Sequence, residues 1–358
     1  MSSIELELAH SYKANPRVED DFALSPLKIT FDNGGAYALL GPSGCGKTTM
    51  LNLISGLISP SQGVVKFDGR DVTRLTPQQR NIAQVFQFPV IYDTMTVRGN
   101  LEFPLKNRGV AKTLINHRVA SVAEMLELTD ELDKKASNLG ADQKQIISLG
   151  RGLVRDDVSA ILFDEPLTVI DPHLKWRLRR KLKQIHNELR LTLIYVTHDQ
   201  VEALTFADEI AVMSQGKVVQ MGTSDDLYER PNHTFVGHFI GSPGMNYIPA
   251  EHENGVLNIM GQKIMMGDNQ ILPDGSLKLG VRPEYLEFNT CEEWNTVVAE
   301  VVNIKDLGSS LMISCKVGEC ILKSRVSSDK LIPRIQEVVW LKIIGKHTCF
   351  YHNDKLVS

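Results

Sequence analysis

Long apolar runs are missing from this 358-residue chain, and none reaches the roughly 20 residues that a membrane-spanning helix needs. The opening MSSIELELAHSYK lacks the basic-then-apolar order of a secretory leader. Cysteine is sparse: five residues, an odd number with no C-x-x-C spacing, so neither a disulfide framework nor a zinc site is indicated. Charge of one sign is not in excess, and a net value of −4 gives no overall basic field to draw the chain to nucleic acid or anionic lipid. No solenoid repeat is visible. What is present is ordinary for a soluble globular protein, 42% hydrophobic and 23% charged, with enough length for two cores. A reduced, cytoplasmic protein is expected.

The first two thirds alternate strands and helices. AYALL (36–40), AILF (160–163) and LTLIYVT (191–197) are short apolar runs suited to a buried parallel sheet. Between them, Lys47–Leu57 places Met50, Leu51, Ile54 and Leu57 on one helical face, and the stretch ending at Val154 places Ile146, Leu149 and Leu153 on another. Such alternation predicts an α/β domain. The stretch ERPNHTFVGHFIGSPGMN (229–246) carries two prolines and three glycines and marks the expected boundary, giving domains 1–240 and 241–358. Beyond it, segments 255–268, 276–288, 296–308, 310–326 and 337–344 are short and punctuated by Gly, Asn and Asp, which predicts a small β-barrel or sandwich.

GPSGCGKTT fits G-x-x-x-x-G-K-[ST], with an apolar strand before it and a helix after it. Gly41, Pro42, Ser43, Gly44, Cys45, Gly46, Lys47, Thr48 and Thr49 therefore form a candidate phosphate loop. Its backbone N–H groups and the helix N-terminus attract phosphate oxygens. Lys47 is expected to reach the β- and γ-phosphates, and Thr48 to ligate Mg²⁺. The Cys45 thiol fills space inside the loop. AILFDEP then delivers Asp164 from a buried strand to hold Mg²⁺ through water, with Glu165 placed as general base toward an attacking water. IYVTHDQ delivers His198, whose imidazole can donate to the γ-phosphate. Gln87, after a strand in AQVFQFP, is expected to join the Mg²⁺ and water shell, and the apolar segment Phe88–Met95 to dock a partner.

In this order, Gly41–Thr48, Gln87, Asp164-Glu165, Asp171 and His198 resemble the ATP-binding subunits of ABC transporters. GVRPEYL (280–286) resembles the TOBE-type, OB-like regulatory domain of carbohydrate importers. The resemblance covers nearly the whole chain. It implies two nucleotide domains facing head to tail, with ATP between one phosphate loop and the other subunit's LSGGQ signature. It also implies that Tyr12 stacks on adenine and that Asp171 touches the opposite subunit, although Thr168, Val169 and Ile170 depart from the usual Ser-Asn-Leu. The implied partners are two membrane permeases and, indirectly, a periplasmic or extracellular solute-binding protein. The implied place is the cytoplasmic face of the bacterial inner membrane, as a peripheral subunit, with ATP and Mg²⁺ as ligands and no nucleic acid.

The signature itself is degenerate. Leu139-Gly140-Ala141-Asp142-Gln143 stands where the family has Leu-Ser-Gly-Gly-Gln, and Ile146 where it usually has Arg. Gly140 has no hydroxyl, Ala141 adds a methyl and Asp142 a carboxylate. Like charges about 5 Å apart at an effective dielectric near 20 repel by roughly 3 kcal/mol. Asp142 or Gly140 could instead simply cap the helix, worth about 1 kcal/mol. These departures, with QFPVIYDTMTV, look like one of the two ATPases of bacterial glycerol importers, and imply an asymmetric heterodimer with a second, non-identical ATPase whose signature is intact. Alternatives are a homodimeric ATPase of another sugar or glycerol-phosphate importer, a non-transport ABC-type ATPase acting on nucleic acid, and a module that binds ATP without turnover. The second of these predicts a coiled-coil insertion before Asp164, which the sequence lacks. The basic run at 175–186 reads as a solvated helix face.

Overall fold

The computed structural model describes residues 2–265, 272–289, 291–328 and 332–357, and the chain divides into two units, Met1–Thr223 and Ser224–Ser358. The first unit is built on a six-stranded sheet. Its order is Lys217–Gly222, Glu209–Ser214, Ala36–Leu40, Leu193–Thr197, Ala160–Asp164, Ile82–Val85. All neighbours are parallel except the antiparallel edge pair 209–214 and 217–222. Both faces are buried, and the strand period of two sorts the side chains between them. Ile161, Phe163, Leu193 and Tyr195 join the core beneath the helices Val97–Lys106, Lys112–Met125, Ala141–Leu153 and Pro172–Leu189. Ala160, Leu162, Ile194 and Val196 join the opposite core, which includes the helix Lys47–Ser55 and a four-stranded antiparallel sheet.

The expected α/β architecture is therefore present, with local corrections. The helix from Lys47 ends at Ser55 because Gly56 takes φ +82 and donates its N–H back to Asn52 O, which puts Leu57 outside at 51% exposure. Along 172–189 the basic residues are a solvated face, with Arg177 and Lys181 on Glu127 and Lys183 on Asp208. His186 departs from that pattern: it is buried, with Nδ1 3.0 Å from Leu191 O.

The second unit holds two short helices, Ser224–Glu229 and Thr234–Phe239, and two antiparallel sheets of six and five strands around one core. The expected β segments become strands, including Thr296–Asp306, Ser310–Val317 and Cys320–Ser327; residues 266–268 of one segment lie outside the described residues. The division falls before the two short helices, whereas the Pro- and Gly-rich stretch suggested 240. The helices are fastened from the β side. Arg282, 1% exposed, donates to the carbonyls of Tyr228, Gly237 and Ile240, and its guanidinium lies 4.2 Å from the Tyr228 ring centre. Tyr247 and Tyr351 donate to Thr234 O and Pro231 O.

Candidate active site

The strand Ala36–Leu40 ends in the loop 41–46, and two glycines there are dictated by crowding. A Cβ on Gly41 would meet Met213 O at 2.3 Å, and one on Gly46, at φ +102, would meet Ala23 O at 2.6 Å. The loop turns over Pro42–Gly44, which are exposed, while Cys45 and Lys47 face inward. Lys47 Nζ donates to Gly41 O at 2.8 Å and Pro42 O at 2.9 Å, so its ammonium stands inside the curve of the loop. Burial pushes the Cys45 thiol up, against the pull of Lys47. Gly46 caps the helix with no side chain on the first-turn N–H groups, which leaves donors and the positive dipole end together at one point.

Thr48 and Asp164, 116 residues apart in sequence, meet here: Thr48 Oγ1 donates to Asp164 Oδ1 at 3.2 Å. Burial raises the Asp164 carboxyl above its ordinary value, with the Glu165 charge adding to that rise; the Thr48 bond and Lys47 oppose it. A hydroxyl and a carboxylate are hard oxygen donors, the type that suits Mg²⁺. Among the described residues no group of three or more His, Cys, Asp or Glu is arranged to hold a metal alone.

Glu165 follows in an unusual backbone state, φ +46, held by its N–H to Val196 O at 3.0 Å. One carboxylate oxygen, Oε2, accepts from Thr168 Oγ1 at 3.2 Å and lies 3.1 Å from His198 Nδ1. The acid and the histidine are thus brought together by neighbouring strands, Ala160–Asp164 and Leu193–Thr197. Asp199 caps the next helix through the N–H groups of Val201 and Glu202, which fixes the turn that presents His198. Tyr12 is 68% exposed, its hydroxyl 3.2 Å from Thr49 Oγ1 and its ring in edge contact with His10 at 4.7 Å. Gln87 is half-buried just beyond the strand Ile82–Val85. Asp171 is exposed and caps the helix Pro172–Leu189 through His173 N at 2.9 Å.

The helix Ala141–Leu153 starts at Gly140, whose carbonyl accepts from Lys144 N. Gly140 is the cap residue and Asp142 is not: no side chain caps the first-turn N–H groups, and Gln143 Oε1 only reaches back to Gly140 N at 3.3 Å. Among the described residues no hydrogen bond joins 140–143 to the phosphate loop. Lys144 pairs with Asp93 at 2.8 Å, and Arg151 donates to Val90 O and lies over the Tyr92 ring at 4.9 Å. The helix is thereby tied to the segment 88–95, where Phe88 and Val90 are exposed.

One residue of the site escapes the sequence reading. Gln145, fully buried, donates from Nε2 to Phe86 O and to Pro166 O, each at 2.9 Å. Its only signal is a polar residue beside the apolar stripe of Ile146 and Leu149.

Known proteins resemble this chain in sequence and in fold. A family model described as "ABC transporter" matches residues 24–168. The chain is 40% identical over 341 residues to the sn-glycerol-3-phosphate import ATP-binding protein UgpC of Psychromonas ingrahamii, spanning 93% of this chain and 90% of that one. It is 38% identical over 295 residues to UgpC of Vibrio cholerae, spanning 82% and 79%. It is 36% identical over 314 residues to the sulfoquinovosyl glycerol transport ATP-binding protein SmoE of Agrobacterium fabrum, spanning 84% and 85%. The solved structure of CbiO1 from Clostridium perfringens, part of the ABC transporter complex CbiONQ, has the same fold: its TM-score is 0.58 at 24% identity, over 64% of this chain and 90% of that one. With a phosphate loop, an acidic strand end and a following histidine in one place, the chain belongs to the ABC transporter ATPases, and within them to the ATP-binding, ATP-hydrolysing subunits of importers.

Proposed function

We propose that this chain energises the import of a small polyol, glycerol first, as one half of an asymmetric pair of ATPases on the cytoplasmic face of the membrane, below two permease subunits. Among the described residues no helix is long and apolar enough to cross a membrane, so in this reading attachment is through the permeases. The observation that carries the asymmetry is the bare helix start at 140–142. A partner's γ-phosphate there would meet backbone N–H groups but no serine hydroxyl, and the Asp142 carboxylate in the first turn. Repulsion between like charges at that distance outweighs what the free N–H groups offer. The chain's own loop has none of these faults, so a partner with an intact signature completes one efficient site over Gly41–Thr48.

In that site Lys47 and the loop N–H groups hold the phosphates, and Tyr12 offers its ring to adenine. Thr48 and Asp164, which meet at 3.2 Å, would supply oxygen ligands to Mg²⁺, and Gln87 is proposed to join that shell. When bound, the ion would neutralise charge on the phosphates. Glu165 takes the proton of the attacking water. His198, with Nδ1 3.1 Å from Glu165 Oε2, offers a ring N–H to the γ-phosphate. Asp171 lies at the face toward the other subunit, and segment 88–95 passes the closure to the permeases. An extracytoplasmic binding protein delivers the solute, which the ATPase never touches.

The 40% identity to sn-glycerol-3-phosphate import ATPases favours a second reading: a homodimer that powers import of a glycerol phosphate or sugar. One measurement separates them. ATPase of the purified chain is assayed alone and mixed with a second importer ATPase of the same organism that carries an intact signature. The asymmetric pair predicts little turnover alone and at least a tenfold gain on mixing; robust cooperative turnover by the chain alone overturns it.

A further inference from the structure

The geometry points to Gln145 as a positioning residue, through which the helix that starts at Gly140 sets both Glu165 and Gln87. This inference deepens the reading of the site given above and rests on Glu165 being the base.

Two carbonyls define the role. Phe86 O is one peptide before Gln87, and Pro166 O is one residue after Glu165; the same amide nitrogen of Gln145 donates to both at 2.9 Å. Only the NH₂ end of the amide can serve two carbonyls, so its orientation is fixed by its partners. The other end, Oε1, is buried with no partner among the described residues. Packing alone does not call for a buried amide with half of its capacity unused. What the amide does is bridge two loops that no strand pairing joins at this point.

The Glu165 turn needs such a clamp. A left-handed backbone at a non-glycine residue persists only where its surroundings over-determine it. Glu165 N–H is bound to Val196 O, which fixes the near side of the turn. On the far side Glu165 O accepts from Thr168 N at 3.2 Å, and Pro166, which has no N–H to offer, is held through its carbonyl by Gln145. On the other loop, Phe86 O is held by the same nitrogen, so the Gln87 segment and the Glu165 segment share one anchor on one helix. A shift of that helix, whose first turn faces the partner subunit in the proposed pair, moves base and Gln87 together.

The test uses Gln145→Met, which keeps length without donors, and Gln145→Glu, which keeps shape but turns an acceptor toward both carbonyls. Turnover is measured in whichever assembly hydrolyses ATP, the chain alone or the chain with a second importer ATPase that carries an intact signature. Binding of a fluorescent ATP analogue to the chain is measured alongside, with thermal unfolding as a control. The expected result is a fall in kcat of tenfold or more in both variants, with analogue affinity within about twofold of the unsubstituted chain. Unchanged kcat in either variant overturns the inference, as does a parallel loss of affinity, kcat and folding, which would mark Gln145 as core packing only. An unsubstituted chain with no turnover in any assembly instead removes the functional reading, and the role of Gln145 with it.

Discussion

Glu165 is held at five points: its N–H on Val196 O, its carbonyl on Thr168 N, its carboxylate on Thr168 Oγ1 and near His198, and the next carbonyl on Gln145. A side chain so fixed keeps its carboxylate aimed at one place. Glu165→Gln keeps the size and one acceptor oxygen but cannot accept the water's proton. Turnover should fall by about 10² or more while ATP stays bound, read as nucleotide retained after gel filtration; normal turnover would remove Glu165 as the base. At this scale the sequence was most legible where chemistry is contiguous. Gly41–Thr48 and Asp164-Glu165 stand in short runs beside apolar strands, so type and position were both readable. Gln145 was not, because helical periodicity sorts residues into apolar and polar, and a buried amide falls on the wrong side of that division.

Among the elements, the helix Ala141–Leu153 combines a sound scaffold with an altered start. Ile146, Leu149 and Leu153 are buried as their spacing predicts, and Lys144 and Arg151 tie it to segment 88–95. Those ties were not legible, since Asp93 and Val90 lie more than fifty residues before their partners. The start is open to repair. A Cβ built on Gly140 meets nothing within 4 Å, and its φ of −69 suits any residue. Gly140→Ser with Ala141→Gly and Asp142→Gly restores the hydroxyl and removes the carboxylate at little steric cost. The chain alone should then gain at least tenfold in ATPase activity with a cooperative ATP dependence. A repaired chain as slow as the original would show that the signature is not what limits it.

Across the whole chain, the two units have separate cores, and Arg282 fastens the two short helices of the second. Burial lowers the guanidinium's proton affinity, yet it stays bound to carbonyls of both short helices. Sequence reading put the boundary near 240 because prolines and glycines punctuate 229–246, a stretch that in the structure contains the second of those helices; a buried arginine looks like a surface one until its partners are known. Arg282→Ala should lower the stability of Ser224–Ser358 by about 3 kcal/mol or more. Calorimetry of the full chain would show this as a lower second transition, with binding of an ATP analogue kept; an unchanged melting profile would contradict it. Heat resistance and turnover also compete at a single codon. At the φ of +46 that Glu165 adopts, glycine would sit without the roughly 1–3 kcal/mol that other residues bear there. A directed-evolution screen scored on melting temperature alone would therefore enrich for hardier proteins that no longer burn fuel.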